Sequence, residues 1–129
     1  MPLVRIDLVR GRTPEQLRAL ADTVQEVMLD VFAAPPRDRY QVVTQHDPGE
    51  IVCEDTGLGL ERTDGVVVIQ VTQQGRGREQ KEAVYAALAE RLAARGQVRG
   101  EDLVVSLVEN TREDWSFGRG RAQFLTGEL

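Results

Sequence analysis

Displaced by 64 positions, the second half of the chain falls on the first without a gap. Gly11-Arg12 and Glu15-Gln16 land on Gly75-Arg76 and Glu79-Gln80, Leu20 on Val84, Val24 on Leu88, Met28 on Leu92 and Asp38 on Asp102. Self-similarity at a fixed period means one supersecondary unit used twice, so whatever the first half folds into constrains the second. In the first half, residues 3 to 9 carry Leu3, Val4, Ile6 and Leu8 in a largely alternating pattern that predicts a strand ending before Gly11. Thr13-Pro14-Glu15-Gln16 follows: an N-cap threonine, a proline at the first helical position and a glutamine at the third, which together make a capping box. The helix begun there has an apolar stripe of Leu17, Leu20, Ala21, Val24, Met28 and Val31, and Pro35-Pro36 prevents its continuation. Tyr40 to Thr44 reads as a second strand, completing a β-α-β unit.

The second copy runs from a strand at Val66 to Val71, through a helix from about Arg78 to Ala94 stopped by Gly96, to a strand at Leu103 to Val108. In this register Pro2 lands on Val66. Between the copies, Asp47-Pro48-Gly49 is a turn, Ile51-Val52-Cys53 reads as a short strand, Asp55 to Gly59 is a loop, and Asp64-Gly65 turns into the second copy. Gly57-x-Gly59 lacks the third glycine and the helix of a nucleotide-binding loop. The expectation is one α+β domain over residues 1–129, with repeats at about 2–63 and 66–129. A duplicated β-α-β unit gives a four-stranded mixed sheet with both helices on one face, each parallel pair joined by a right-handed crossover. The other face of so apolar a sheet needs cover, which predicts an oligomer.

Composition removes several classes of function. The net charge is −5 and basic residues are dispersed among acidic ones, so no nucleic-acid footprint is present. Cys53 is the sole cysteine and His46 the sole histidine, which argues against a disulfide framework, a metal centre or a Cys/His nucleophile pair within one chain. His46 is read as a polar residue at a strand end. No stretch resembles a signal peptide and no apolar run approaches membrane-spanning length, so the expected location is the cytoplasm, with no membrane partner.

Pro2 stands directly behind the initiator methionine. Removal of Met1, which a small second residue permits, would leave a secondary amine on the first residue of a strand. Such an amine titrates closer to neutrality than lysine and is aimed by its own ring. Proline also follows methionine in many proteins with no such role, so Pro2 alone decides nothing. A β-α-β repeat of this size behind such a proline resembles the tautomerase superfamily, whose members use an amino-terminal proline as the catalytic group. More specific stretches extend the likeness: Asp38-Arg39-Tyr40-Gln41, Gln45-His46-x-Pro48-Gly49, Glu54-Asp55-Thr56-Gly57-Leu58-Gly59, and Asn110 followed by Asp114-Trp115-Ser116-Phe117-Gly118-Arg119-Gly120-Arg121-Ala122-x-Phe124-Leu125-Thr126-Gly127. These resemble the malonate semialdehyde decarboxylase family across essentially the whole chain.

That resemblance implies a homotrimer that converts malonate semialdehyde (3-oxopropanoate) to acetaldehyde and carbon dioxide without metal or cofactor, with a side activity in hydrating acetylenic 2-oxo acids. It implies Pro2, Asp38 and Arg76 as catalytic positions and an apolar wall of Trp115, Phe117, Phe124 and Leu129. The family's first arginine, two residues before Arg76, is Gln74 here, a neutral amide where a second cation would help hold the substrate. That departure keeps open tautomerisation of a 2-oxo acid or hydration of an unsaturated acid on the same scaffold. A non-catalytic trimeric interaction module is the alternative from another class. Read from the residues alone, Arg76 is either a carboxylate anchor, its planar fork suiting it to that role, or a solvated charge like Arg12. Asp38 is either a group near the amine or a turn residue after Pro35-Pro36, and the aromatic tail either walls a site or simply packs.

Overall fold

The computed structural model describes residues 2–129 and bears out the duplicated plan. The expected removal of Met1 lies outside those residues. The chain order is β1 (Leu3–Val9), α1 (Pro14–Asp30), β2 (Tyr40–His46), β3 (Val67–Gln73), α2 (Arg78–Ala94), β4 (Leu103–Glu109) and a short α3 (Gln123–Thr126). The sheet order is β2-β1-β3-β4, with parallel outer pairs around an antiparallel central pair. Among the described residues no helix is long and apolar enough to cross a membrane.

Local chemistry sets the helix boundaries. The backbone N–H of Gln16 donates to Thr13 Oγ1 at 3.1 Å, and the backbone N–H of Thr13 donates to Gln16 Oε1 at 2.9 Å, the reciprocal pair of a capping box. α2 runs out at Gly96, whose φ of +67° a side chain would oppose. Between the helices and the sheet, Val4, Ile6 and Leu8 of β1 and Val67, Ile69 and Val71 of β3 meet Leu20, Val24 and Met28 of α1 and Val84, Leu88 and Leu92 of α2. Burial of this apolar surface is the main favourable term in folding.

Among the described residues no helix packs on the other sheet face. Arg5 and Gln70, paired across β1 and β3, are exposed there, as are Val42 (44%) and Val108 (40%).

Two details depart from the sequence reading. β1 pairs with β2 at an offset of 37 residues (Leu3 opposite Tyr40), but β3 pairs with β4 at 36 (Val67 opposite Leu103). The helices and outer strands keep the spacing of 64, so the central strands are related by 65, and the counterpart of Pro2 is Val67 rather than Val66. The first repeat takes up the extra residue where β1 gives way to Gly11, a loop-length change that leaves the inward faces of both strands unaltered. Ile51-Val52-Cys53, in turn, forms no strand: it joins no ladder, and Val52 is 81% exposed. Three β-prone residues without a partner strand lack a ladder to hold them in extended form, and exposed backbone groups are left to water.

Leu88 is fully buried at the centre of the packed layer. Leu88→Ala is expected to lower unfolding free energy by about 2–5 kcal/mol, read as a lower urea midpoint at unchanged slope.

Candidate active site

The topology collects four strand termini at one end of the sheet. β1 and β2 begin there, because they are parallel, and β3 and β4 end there, because the central pair is antiparallel. The segments entering and leaving these termini are Pro35 to Arg39, Gln74 to Gly77 and the tail after Glu109. Together they form an open cavity of about 770 Å³ lined by Asp38 and Tyr40 from the β2 side, Gln74 and Arg76 from the β3 side, and Phe117, Phe124 and Leu129 from the tail.

Arg76 is not a solvated charge. Its Nε and Nη2 donate to the carbonyl of Phe32 at 3.1 and 2.8 Å, its Nη1 donates to the carbonyl of Gln74 at 2.7 Å, and its guanidinium lies 5.2 Å from the centre of the Phe32 ring. The side chain therefore closes the carboxyl end of the first helical segment and is held rigid by it. Of the five guanidinium N–H groups, these contacts use three, which leaves two for a ligand in the cavity. Burial lowers the pKa of Arg76 and the charge of Asp38 opposes that shift, but an arginine stays cationic throughout.

Asp38 is 5% exposed, and its Oδ2 has no hydrogen-bond partner among the described residues. Burial raises its pKa, opposed by the positive charges of the amino terminus and of Arg76. The loop that delivers it turns at Arg37, with φ of +72°, and the Asp38 N–H donates to the carbonyl of Pro35 at 3.1 Å.

The second repeat shows what this arrangement looks like without an orphan. Asp102 occupies the position equivalent to Asp38 and is as buried, yet Thr63 donates to both its oxygens, from its N–H at 2.7 Å and from its hydroxyl. Arg12, the counterpart of Arg76, donates to the carbonyls of Gln97 and Gly65 at 3.2 and 3.3 Å. It too is part-buried rather than solvated. Both arginines close a helix end, and among the described residues only the Asp38 end keeps an unpaired buried carboxyl oxygen.

The tail after β4 folds on itself to make the wall. Trp115 stacks on Phe117 with centroids 5.5 Å apart and planes inclined at 12°, Phe124 meets Phe117 edge-on at 5.4 Å, and Tyr40 approaches it at 5.6 Å. Trp115 Nε1 donates to Asn110 Oδ1 at 3.0 Å, and Gln123 ties the tail by accepting from the Phe117 N–H at 3.0 Å and donating to the carbonyl of Gly118 at 2.9 Å.

Six of the eight residues singled out from sequence thus line one cavity. Trp115 instead lines an adjoining cavity of about 370 Å³ with Leu3 and Thr72, behind Phe117. Pro2 is buried at the head of β1, immediately before Leu3, which pairs with Tyr40 on one side and Thr72 on the other. Tyr40 and Gln123 were not singled out. Tyr40 had a visible signal, since it opens β2 two residues after Asp38 and so cannot avoid the same strand end. His46 lies at the opposite end of the sheet, with Nε2 2.8 Å from Asp7 Oδ1, outside the site.

The chain belongs to the tautomerase family. It matches a family described as "Tautomerase enzyme" over residues 2–61 and a second family of the same description over residues 38–118. It is 47% identical over 129 residues to the probable tautomerase YrdN of Bacillus subtilis (strain 168), covering 100% of both chains, and 39% identical to the probable tautomerase YusQ of the same organism, covering 97% of this chain and 99% of the other. Within that family it is similar to malonate semialdehyde decarboxylase. One such crystal structure superposes with a TM-score of 0.94 at 48% identity, covering 98% of each chain. The FG41 malonate semialdehyde decarboxylase inhibited by 3-bromopropiolate superposes with a TM-score of 0.94 at 50% identity, covering 98% of this chain and 97% of that one. A fused 4-OT symmetric trimer, 20% identical, shares the fold with a TM-score of 0.78, covering 97% of this chain and 98% of that one.

The raised pKa of Asp38 fixes a sign. A carboxyl held protonated longer in the folded than in the unfolded chain binds more protons when folded, so stability falls as pH climbs from the ordinary carboxylate range through the raised folded value. Asp38→Asn is therefore expected to gain melting temperature relative to the parent as pH rises from about 4 towards neutrality, and to lose that advantage below the unfolded carboxylate pKa. Paired thermal melts across that window check it.

Proposed function

We propose that the protein is a cofactor-independent decarboxylase of small 3-oxo acids, with 3-oxopropanoate converted to acetaldehyde and carbon dioxide, in which the amine of Pro2 is freed by loss of Met1. The observation that carries this reading is the meeting of a rigid arginine, a buried carboxyl and an aromatic wall in one cavity at the end of the sheet where β1, the strand directly after Pro2, begins. The near-complete likeness to malonate semialdehyde decarboxylases supports it.

The two uncommitted N–H groups of Arg76 take the substrate carboxylate. The protonated Pro2 amine donates to the C3 carbonyl oxygen. Cleavage of the C1–C2 bond releases carbon dioxide and moves its electron pair into an enolate, whose negative oxygen that donor stabilises. Protonation at C2 then yields acetaldehyde. The Asp38 carboxylate favours the charged form of the amine and thus this route over a covalent iminium. Phe117 and Phe124 present apolar surface to a reaction that disperses carboxylate charge. The bare sheet face with Val42 and Val108 is the surface on which a homotrimer would close.

A second reading, tautomerisation or hydration of 2-oxo or unsaturated acids, is favoured by Gln74, which contributes a neutral amide to the cavity rim, and by the relatives being named probable tautomerases. Parallel assays of 3-oxopropanoate and an enolised 2-oxo acid separate the two. A mature protein that retains Met1 by intact mass, and turns over neither, would be an interaction module instead.

Pro2→Ala is expected to reduce turnover by about 10²–10³-fold with unchanged circular dichroism, and full retention of decarboxylation would refute the site. Arg76→Ala is expected to raise KM for the carboxylate substrate and also to lower the melting temperature, because the Phe32 carbonyl loses both its donors. Borohydride added during turnover is expected to leave no reduced adduct on Pro2, whereas an iminium would leave one.

A further inference from the structure

Gln73, the last residue of β3, is fully buried, and neither its Oε1 nor its Nε2 has a hydrogen-bond partner among the described residues. Buried side-chain amides are ordinarily paired, so an orphan at both ends asks for an explanation. The fold does not supply one. The offset of 65 between the central strands places Gln73 on Leu8, which is also fully buried, so the other repeat fills this position with an apolar residue. The Gln73 carbonyl is already used, accepting from the Asn110 N–H at 2.9 Å. Its register partner on β4, Glu109, is more than half exposed and faces Lys81 of α2 at 3.9 Å instead.

The β1–β3 ladder indicates what the amide faces. Leu3 is opposite Thr72, and the next step outward sets Pro2 opposite Gln73. Val4 and Val71, two steps inward from that pair, lie on the helix-packed face, so the side chain of Gln73 and the ring of Pro2 share that face. Directly opposed residues in such a pair have Cβ atoms about 4.5–5.5 Å apart, within reach of a glutamine amide. While Met1 is attached, the Pro2 nitrogen is a tertiary amide with no hydrogen to give. As a free amine it carries one N–H, and two when protonated. Two buried acceptors have no donor among the described residues, and they belong to the segments that flank β1: Gln73 Oε1 on β3 and Asp38 Oδ2 ahead of β2.

We infer that Gln73 is a positioning residue for the Pro2 amine, accepting one of its N–H groups and turning the nitrogen into the cavity. The inference rests on Pro2 being the reacting group. The charged groups at this end of the sheet are Asp38 and Arg37 ahead of β2, Arg76 after β3, Glu109 at the end of β4 with Lys81 of α2 3.9 Å from it, and Glu128 of the tail, which is paired with Arg121 at 2.8 Å. Gln73 is neutral, so it holds the ammonium without adding another titrating charge.

The test is an NMR titration of the ¹⁵N-proline-labelled mature protein, with loss of Met1 verified by intact mass, compared with Gln73→Leu and Gln73→Met. The expected result is a Pro2 titration midpoint about one pH unit lower in both variants, with the alkaline limb of the pH–rate profile moving by the same amount while KM holds. Gln73→Leu copies the other repeat and is expected to melt no lower than the parent. Should it fail to fold, the near-isosteric Gln73→Met decides. An unmoved midpoint overturns the inference, as does retention of Met1. A moved midpoint in a protein that never turns over 3-oxopropanoate leaves the positioning intact and overturns the decarboxylase reading. Turnover with an unmoved midpoint does the reverse.

Discussion

The antiparallel pairing of β1 with β3 is the contact on which the rest of the molecule depends. It joins two β-α-β units of the same handedness head to tail, and by doing so places the start of one unit's strands beside the end of the other's. Each sheet end therefore gathers the segment before an outer strand of one repeat and the segment before a helix of the other. Asp38 and Arg76 are 38 residues apart in sequence and line one cavity for that reason. The same rule builds a second cavity of about 580 Å³ at the opposite end around Asp102 and Arg12.

The two ends differ in how completely their buried polar groups are paired. At the Asp102 end the equivalent carboxyl and guanidinium are both paired: Thr63 serves both carboxyl oxygens and Arg12 serves two carbonyls. At the Asp38 end the arginine keeps its structural duty to Phe32, but the carboxyl oxygen and the Gln73 amide are buried without partners among the described residues. Unpaired buried polar atoms cost free energy, and duplication supplies an internal control showing that the architecture does not require them. Such local rule-breaking is what the proposed reactive site would account for.

Much of this was legible in the sequence because it is encoded locally. The capping box at Thr13 and Gln16, the helix stripes and the strand runs are short-range signals, and the spacing of 64 links them across the chain. What was not legible depends on pairing. The one-residue slip between the central strands is visible only in the ladder offsets, and it decides that Gln73 faces inward as the counterpart of Leu8. Ile51 to Cys53 has strand composition but no strand to join. The duty of Arg76 to the Phe32 carbonyl is a contact across 44 residues that no spacing argument reaches, so the sequence leaves a solvated charge equally open.

The aromatic wall adds the second asymmetry. Residues after Glu109 have no counterpart following β2, where the chain instead leaves through an exposed loop containing Val52 and Leu58. Because β4 ends at the Asp38 end, the tail has only that cavity within easy reach, and the stacking of Trp115 on Phe117 and the edge contact of Phe124 consolidate it there. A duplicated scaffold with two equivalent ends is thus made one-sided by two independent features. Pro2 opens the strand that starts at this end, and the apolar tail settles over the same strand heads. Lowering the local dielectric around Arg76 and Asp38 strengthens each electrostatic contact they make, and the one tail carboxylate that lines the cavity, Glu128, is paired with Arg121 at 2.8 Å.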